Sequence, residues 1–277
     1  MIHAISNFST LADRYDAFLL DVWGVIHDGS HLYPGVHETL TQLRARGKKI
    51  IFISNAPRRA HKVEAVLNKL GIEKTLYDMV MTSGEAGFQW LAAGKASWEK
   101  RYFYIGPDKD LDVLDGLDYV MEPDIAQSNF ILNVGFGSEN DSNEDWSPVL
   151  EAASAKHLPM LCLNPDLEVV KQNGARFGCA GVVAEAYVKR GGYVVWFGKP
   201  YPEVYEYCFR TLEGMDKKRI LAVGDGLHTD IAGALNTTID AALISGGLLV
   251  GKSADDIEAL CRKQGTVPHY VAPAFRW

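Results

Sequence analysis

Leu19–Gly29 reads LLDVWGVIHDG. An apolar, strand-like run ends on a carboxylate, Asp21, and the chain then turns near Gly24. A carboxylate at the end of a buried strand is costly unless something uses it. Two residues further on stands a bulky indole, Trp23. Any chemistry assigned to Asp21 has to accommodate that indole.

Outward from this stretch, short apolar runs alternate with helix-like segments. AFLL leads into Asp21 and KKIIFISN leads into Ser54 and Asn55. Between them VHETLTQLRARG has helical spacing and closes on Gly47. PRRAHKVEAVLNKLG reads as the next helix, with Pro57 near its start and Gly71 at its end. RYFYIG, FILNVG, PMLCLN, YVVWFG, RILAVGD and DAALIS follow as further apolar runs. Such alternation predicts βαβ units and an α/β fold with parallel sheets. In these sheets function collects where the carboxyl ends of strands meet loops. Asp21, Ser54, Lys199 and Asp225 each follow an apolar run, which predicts one shared edge for all four.

The middle of the chain, residues 84–189, carries strand and helix signals of its own. It reads as a second α/β domain inserted into the first, which is left as residues 1–83 and 190–277. GSENDSNEDW (137–146) is the most polar stretch and reads as a solvated loop. With 277 residues and 47% hydrophobic content, the chain can bury a sizeable core. A formal net charge of -7 opposes nucleic acid and anionic membranes as partners. Cys162, Cys179, Cys208 and Cys261 lie far apart without a C-x-x-C pair, which suits reduced cysteines in a cytoplasmic protein. The N-terminal stretch lacks an apolar signal-peptide core, and no apolar run approaches the ~20 residues of a membrane span.

Four pieces agree in chemical type. Asp21 ends the first run, Ser54 and Asn55 end the second, Lys199 lies in GKPYPEVY, and Asp225 and Asp230 lie in VGDGLHTD. Phosphoryl transfer through a covalent intermediate uses such groups: a carboxylate to attack phosphorus, oxygen ligands for Mg²⁺, and a lysine and hydroxyl to offset phosphate charge.

With DVWGV, FISN, the lysine of GKP and GDGLHTD in this order, the chain resembles the haloacid dehalogenase superfamily. More specifically it resembles subclass IIA, which includes p-nitrophenyl, nucleotide, sugar and pyridoxal phosphate phosphatases. LNPDLEVV, with Asn164, Pro165 and Asp166, is similar to that subclass's cap motif. The resemblance implies a doubly wound, Rossmann-like core with an inserted α/β cap acting as a substrate-selecting lid, and Mg²⁺ as cofactor. It implies that Asp21 is the nucleophile and that Ser54, beside Asn55, binds the phosphate. Lys199 steadies Asp21 and the phosphate. Asp21, Asp225 and the backbone carbonyl of residue 23 bind the metal. Asp230 holds Lys199 or a metal-bound water, or else it caps the helix over IAGALN. Caps of this subclass often dimerise, which implies a homodimer, and the substrate implied is a small phosphorylated metabolite.

At position 23 the phosphatases of the superfamily carry a second aspartate, the general acid and base. Trp23 offers only a weak indole N–H. Losing such a group costs ~10²- to 10⁴-fold. Three readings follow. The chain is a phosphatase for good leaving groups, or one in which the substrate or a neighbour such as His27 or Asp28 supplies the proton. Alternatively it binds phosphoesters without turnover. The third reading is a dehalogenase, against which the two acids of GDGLHTD argue. GGLLVGKS (246–253) matches a phosphate-binding loop pattern, but too few residues follow it for the downstream sheet. His27 and His31 are four apart without a helical carboxylate partner, a poor zinc set. Trp90, Trp98, Tyr102 and Tyr104 read as core of the inserted domain rather than a base-stacking platform.

Overall fold

The computed structural model describes residues 2–137, 146–170, 176–246, 249 and 252–277. Strands run in chain order as β1 (His3–Ala4), β2 (Ala17–Asp21), β3 (Lys49–Ser54) and β4 (Met79–Thr82). Then come β5 (Arg101–Ile105), β6 (Val120–Met121), β7 (Phe130–Asn133), β8 (Met160–Cys162), β9 (Glu168–Val170), β10 (Arg176–Gly178) and β11 (Val194–Trp196). The last are β12 (Ile220–Gly224), β13 (Asp240–Ile244) and β14 (Tyr270–Ala272).

The chain divides into two compact units. One comprises Met1–Ser54, His61–Met81 and Lys199–Trp277; the other comprises Asn55–Ala60 and Thr82–Gly198. The first unit is built on a seven-stranded sheet in the order β1-β14-β13-β12-β2-β3-β4. Its pairings from β1 across to β3 are parallel. Parallel strands covered on both faces should read as unbroken apolar runs, and every residue of β2 and β12 is buried. Val36–Ala45 buries Val36, Leu40 and Leu43, the i, i+4, i+7 stripe of an amphipathic helix. Gly47 takes φ +70° just past its end. Ala60–Lys69 buries Val63 and Leu67. Pro57 lies upstream of that helix rather than inside its first turn.

From β2 the chain steps outward through β3 to β4, and from β12 it steps the other way through β13 to β14. The switch point of the sheet therefore lies between β2 and β12. That is where open parallel sheets bind ligands.

The second unit has its own sheet, β11-β8-β7-β5-β6, all parallel. Ile105, Ile131, Met160, Cys162 and Tyr187 lie in its core. Its aromatics pack on one another: Trp98 and Tyr102 each lie 5.7 Å from Phe130. Tyr104 donates to the Pro107 carbonyl at 2.8 Å. This arrangement corrects the sequence reading in two places. The inserted unit extends to Gly198, past the expected boundary at 189, because β11 pairs with β8. Lys199 consequently does not end a strand of the first sheet. Apolar periodicity identified a strand at YVVWFG but carried no information on which sheet it joins.

All four cysteines are free and buried. Among the described residues, no helix is long and apolar enough to cross a membrane. Most of the polar loop 137–146, and residues 247, 248, 250 and 251 of the phosphate-loop pattern, lie outside the described residues. Ser253 forms a capping box with Asp256 at the start of Ala254–Gln264, so its hydroxyl serves a helix terminus.

Candidate active site

Three neighbouring strands deliver the site. Asp21 is the last residue of β2, Ser54 the last of β3, and Asp225 follows β12. The register pairs Asp21 with Ile53 and Leu20 with Val223. Parallel pairing in this register brings all three residues to one edge. Lys199 reaches the same place from outside the sheet. Its Nζ donates to Asp21 Oδ1 at 2.5 Å, to Asp230 Oδ1 at 2.8 Å and to the Ile53 carbonyl at 3.3 Å.

Asp230 is held from both sides. Its Oδ2 accepts the Gly226 N–H at 3.1 Å and the Thr229 hydroxyl at 3.2 Å. The helix Ala232–Asn236 has no side-chain cap. Asp230 therefore faces Lys199 and does not terminate that helix. Leu227–Ile231 is a π-helical turn, the kind of local widening found at functional sites.

Lys199 and Asp21 are both nearly inaccessible, at 3% and 6% exposure. Burial opposes the Lys199 ammonium, but the carboxylates of Asp21 and Asp230 outweigh it and raise the lysine pKa, keeping it charged. Burial pushes the Asp21 carboxyl above its usual range; Lys199 opposes this, while Asp230 and Asp225 add to it. One ligand atom from each of Asp21, Asp225 and Asp230 lies within 4.8 Å of the others. With Lys199 present, the ionised cluster carries two uncompensated negative charges. Hard carboxylate oxygens and that charge fit a divalent cation.

Gly24 shows how closely the loop approaches this cluster. It has φ +86°, and a Cβ there would stand 2.2 Å from Asp225 Oδ2. Only glycine satisfies both demands. Its place after DVW is the sequence signal for it. Tyr205 had no such signal. Fully buried, it donates to the Asp230 carbonyl at 3.4 Å, and a Cβ at Gly233 would stand 2.4 Å from its hydroxyl.

The indole of Trp23 does not replace a carboxylate. It lies edge-to-face on His27, with ring centroids 5.8 Å apart at 77°. A Cβ at Gly29 would stand 2.6 Å from its Cη2. The two nearby titratable groups are engaged within the loop. His27 is buried, its Nδ1 accepts the Gly29 N–H at 2.9 Å, and burial lowers its pKa. Asp28 Oδ1 accepts the N–H groups of Ser30 and His31, both at 2.8 Å. Asn55 is likewise engaged, within the second unit: its Nδ2 donates to Asp166 Oδ1 at 2.7 Å, tying it to the LNPD segment.

Residues 18–120 match the family model described as haloacid dehalogenase-like hydrolase, and residues 196–276 match a second, HAD-hydrolase-like model. A crystal structure of a haloacid dehalogenase-like family hydrolase from Brucella suis 1330 is 32% identical, covering 98% of this chain and 99% of that one, with a TM-score of 0.84. The chain belongs to the haloacid dehalogenase-like hydrolase family. A 4-nitrophenylphosphatase of Schizosaccharomyces pombe is 26% identical over 95% of this chain and 93% of its own length. The fold is shared with a Mycobacterium tuberculosis glycerol phosphate phosphatase solved in complex with magnesium, 24% identical over 97% of this chain and 76% of that one, with a TM-score of 0.72. Relatives of this haloacid dehalogenase-like chain are thus phosphatases named for substrates resembling those of subclass IIA.

Proposed function

We propose that this chain is a Mg²⁺-dependent phosphatase of small phosphorylated metabolites that works through an aspartyl phosphate on Asp21 and favours good leaving groups. The observation that carries this reading is the buried Lys199, bonded to both Asp21 and Asp230 beside Asp225 at the switch point of the sheet.

Lys199 occupies Asp21 Oδ1, which leaves Oδ2 to attack phosphorus. The new Oδ2–P bond forms as the ester P–O bond breaks, and the leaving oxygen keeps the electron pair. Water then attacks the acyl phosphate, returning the Asp21 carboxylate and releasing phosphate. Ser54 binds the phosphate oxygens, and Lys199 supplies positive charge where negative charge develops. Asp230 keeps Lys199 in place. Asp21, Asp225 and the Trp23 carbonyl would hold Mg²⁺, which supplies charge neutralisation when bound. Asn55, bonded to Asp166, holds the LNPD segment rather than serving as a free donor.

Position 23 offers no carboxylate to act as general acid: Trp23 packs onto Gly29 and His27. An alkoxide leaving without a proton forgoes ~10²- to 10⁴-fold. Aryl and acyl phosphates depart as weak bases and do not need one.

The test is a series of aryl and alkyl phosphates with saturating Mg²⁺. Wild type should show a steep dependence of kcat on leaving-group pKa. Trp23→Asp should raise the alkyl-to-aryl rate ratio even if both absolute rates fall, and Asp21→Asn should abolish turnover. Rapid hydrolysis of sugar phosphates by wild type would refute the account of Trp23. Binding of phosphate esters with no turnover of any ester would establish the alternative, a phosphoester-binding protein.

A further inference from the structure

We propose that the indole of Trp23 is a positioning group: packed on Gly29 and His27, it fixes the loop after the nucleophile so that Gly24 keeps its close approach to Asp225. This rests on reading the aspartate cluster as a Mg²⁺ site, and the experiment below separates the two.

The loop needs such a brace. Between β2 and the helix starting at Val36 it forms only two isolated bridges, Trp23 with His27 and His27 with Leu32. Gly24 and Gly29 both take positive φ, +86° and +100°. Glycines in such conformations are permissive and gain entropy when released. Val22, Val25 and Ile26 are buried, and the backbone of the first half of the loop is tied by the Gly24 N–H to the His27 carbonyl at 3.0 Å and by the Ile26 and His27 N–H groups to the Val22 carbonyl at 3.0 and 3.2 Å.

His27 is the hinge of this arrangement. It takes part in both bridges, and its Nδ1 fixes the Gly29 N–H. It is buried to 5% exposure although it lies in a loop. The Trp23 ring lies against both members of that pair, edge-to-face on His27 and in contact with the open side of Gly29. A carboxylate at position 23 would lack the ring that makes both contacts. The side chain at this position thus acts through area and shape on His27, whose carbonyl accepts the Gly24 N–H at 3.0 Å, and Gly24 is the residue that stands against Asp225.

Groups that orient metal ligands are worth about 10- to 100-fold in metal affinity. In the full-length protein, Trp23→Leu should speed amide hydrogen exchange at His27 and Gly29 about 10-fold or more. It should weaken Mg²⁺ binding, measured by calorimetry, by about 10-fold. Trp23→Phe, which keeps a flat ring, should recover most of both losses. Gly29→Ala should mimic Trp23→Leu from the other side of the contact. Wild-type exchange rates in a folded Trp23→Leu protein overturn the clasp. Faster exchange with unchanged Mg²⁺ affinity overturns its positioning role. If Trp23→Phe loses as much as Trp23→Leu, the ring is not the active feature and the proposal falls. Wild type that binds no Mg²⁺ refutes the metal-site reading, and hydrogen exchange alone then decides the clasp.

Discussion

Replacing Lys199 by methionine tests the electrostatics of the site directly. The methionine keeps an unbranched apolar stem of similar length, so the packing change is small. What is lost is one ammonium, 3% exposed, with two carboxylate partners at 2.5 and 2.8 Å. The orphaned carboxylates stay buried, with ligand atoms within 4.8 Å of one another. At that separation and an effective dielectric near 20, two unit charges repel by about 3 kcal/mol. Breaking a buried ion pair by removing one partner costs about 3–5 kcal/mol. Both routes point to a loss of about 3–5 kcal/mol, a large share of the ~5–15 kcal/mol of a typical fold. Urea unfolding at neutral pH, comparing midpoint and slope, reads this loss. Added Mg²⁺ should stabilise the variant more than wild type, because the cation answers the charge the lysine leaves behind. A variant within about 1 kcal/mol of wild type, folded and indifferent to Mg²⁺, would show that the aspartates do not carry the charge assigned to them.

Gly24→Ala should cost about 1–3 kcal/mol through its backbone conformation alone. It should also abolish calorimetric Mg²⁺ binding, since the new Cβ would stand 2.2 Å from Asp225 Oδ2; unchanged affinity would place the cation elsewhere. A pH effect is expected far from the site, at Asp16. Arg219, bonded to it at 2.8 Å, and also Lys48 lower its pKa to about 2 against the pull of burial. The folded state therefore favours the anion, so this contribution is complete above about pH 4 and is lost as pH falls toward 2. The pair is well exposed, so Asp16→Asn should cost less than about 1 kcal/mol at pH 7. Acid unfolding curves should converge only as pH falls to about 2.

Much of the site was legible because it is encoded locally. Asp21, Ser54 and Asp225 each end or follow an apolar run, and parallel register alone then gathers them at one edge. The alternation of runs and helical segments likewise predicts the parallel α/β core. Lys199 was legible as a chemical type but not as a position. Its preceding strand joins the other sheet, and strand periodicity is blind to pairing partners. The same blindness displaced the boundary of the inserted unit from 189 to 198. The choice between Asp230 as helix cap and as partner of Lys199 depended on a contact across 31 residues. Tyr205 acts through a backbone carbonyl and a close-packed glycine, which no residue pattern announces. Trp23 was legible as a departure, while its seat on Gly29 and His27 appeared only in three dimensions.

The adjacency of β2 and β12 has a consequence for synthesis. β2 is wholly buried in the finished sheet and pairs on one side with β3, which follows it closely in sequence. Its other neighbour, β12, leaves the ribosome only after the entire inserted unit has been made. At ~5–20 residues per second the wait lasts ten seconds or more. Throughout it, Ala17–Asp21 presents an unpaired apolar edge, the kind of surface that recruits the wrong strand. The nascent chain therefore depends on the inserted unit folding promptly and apart. Shortening that interval, by a circular permutation that begins the chain ahead of Ile220–Gly224 so that only residues 225–277 and 1–16 separate it from Ala17–Asp21, should raise the yield of folded protein.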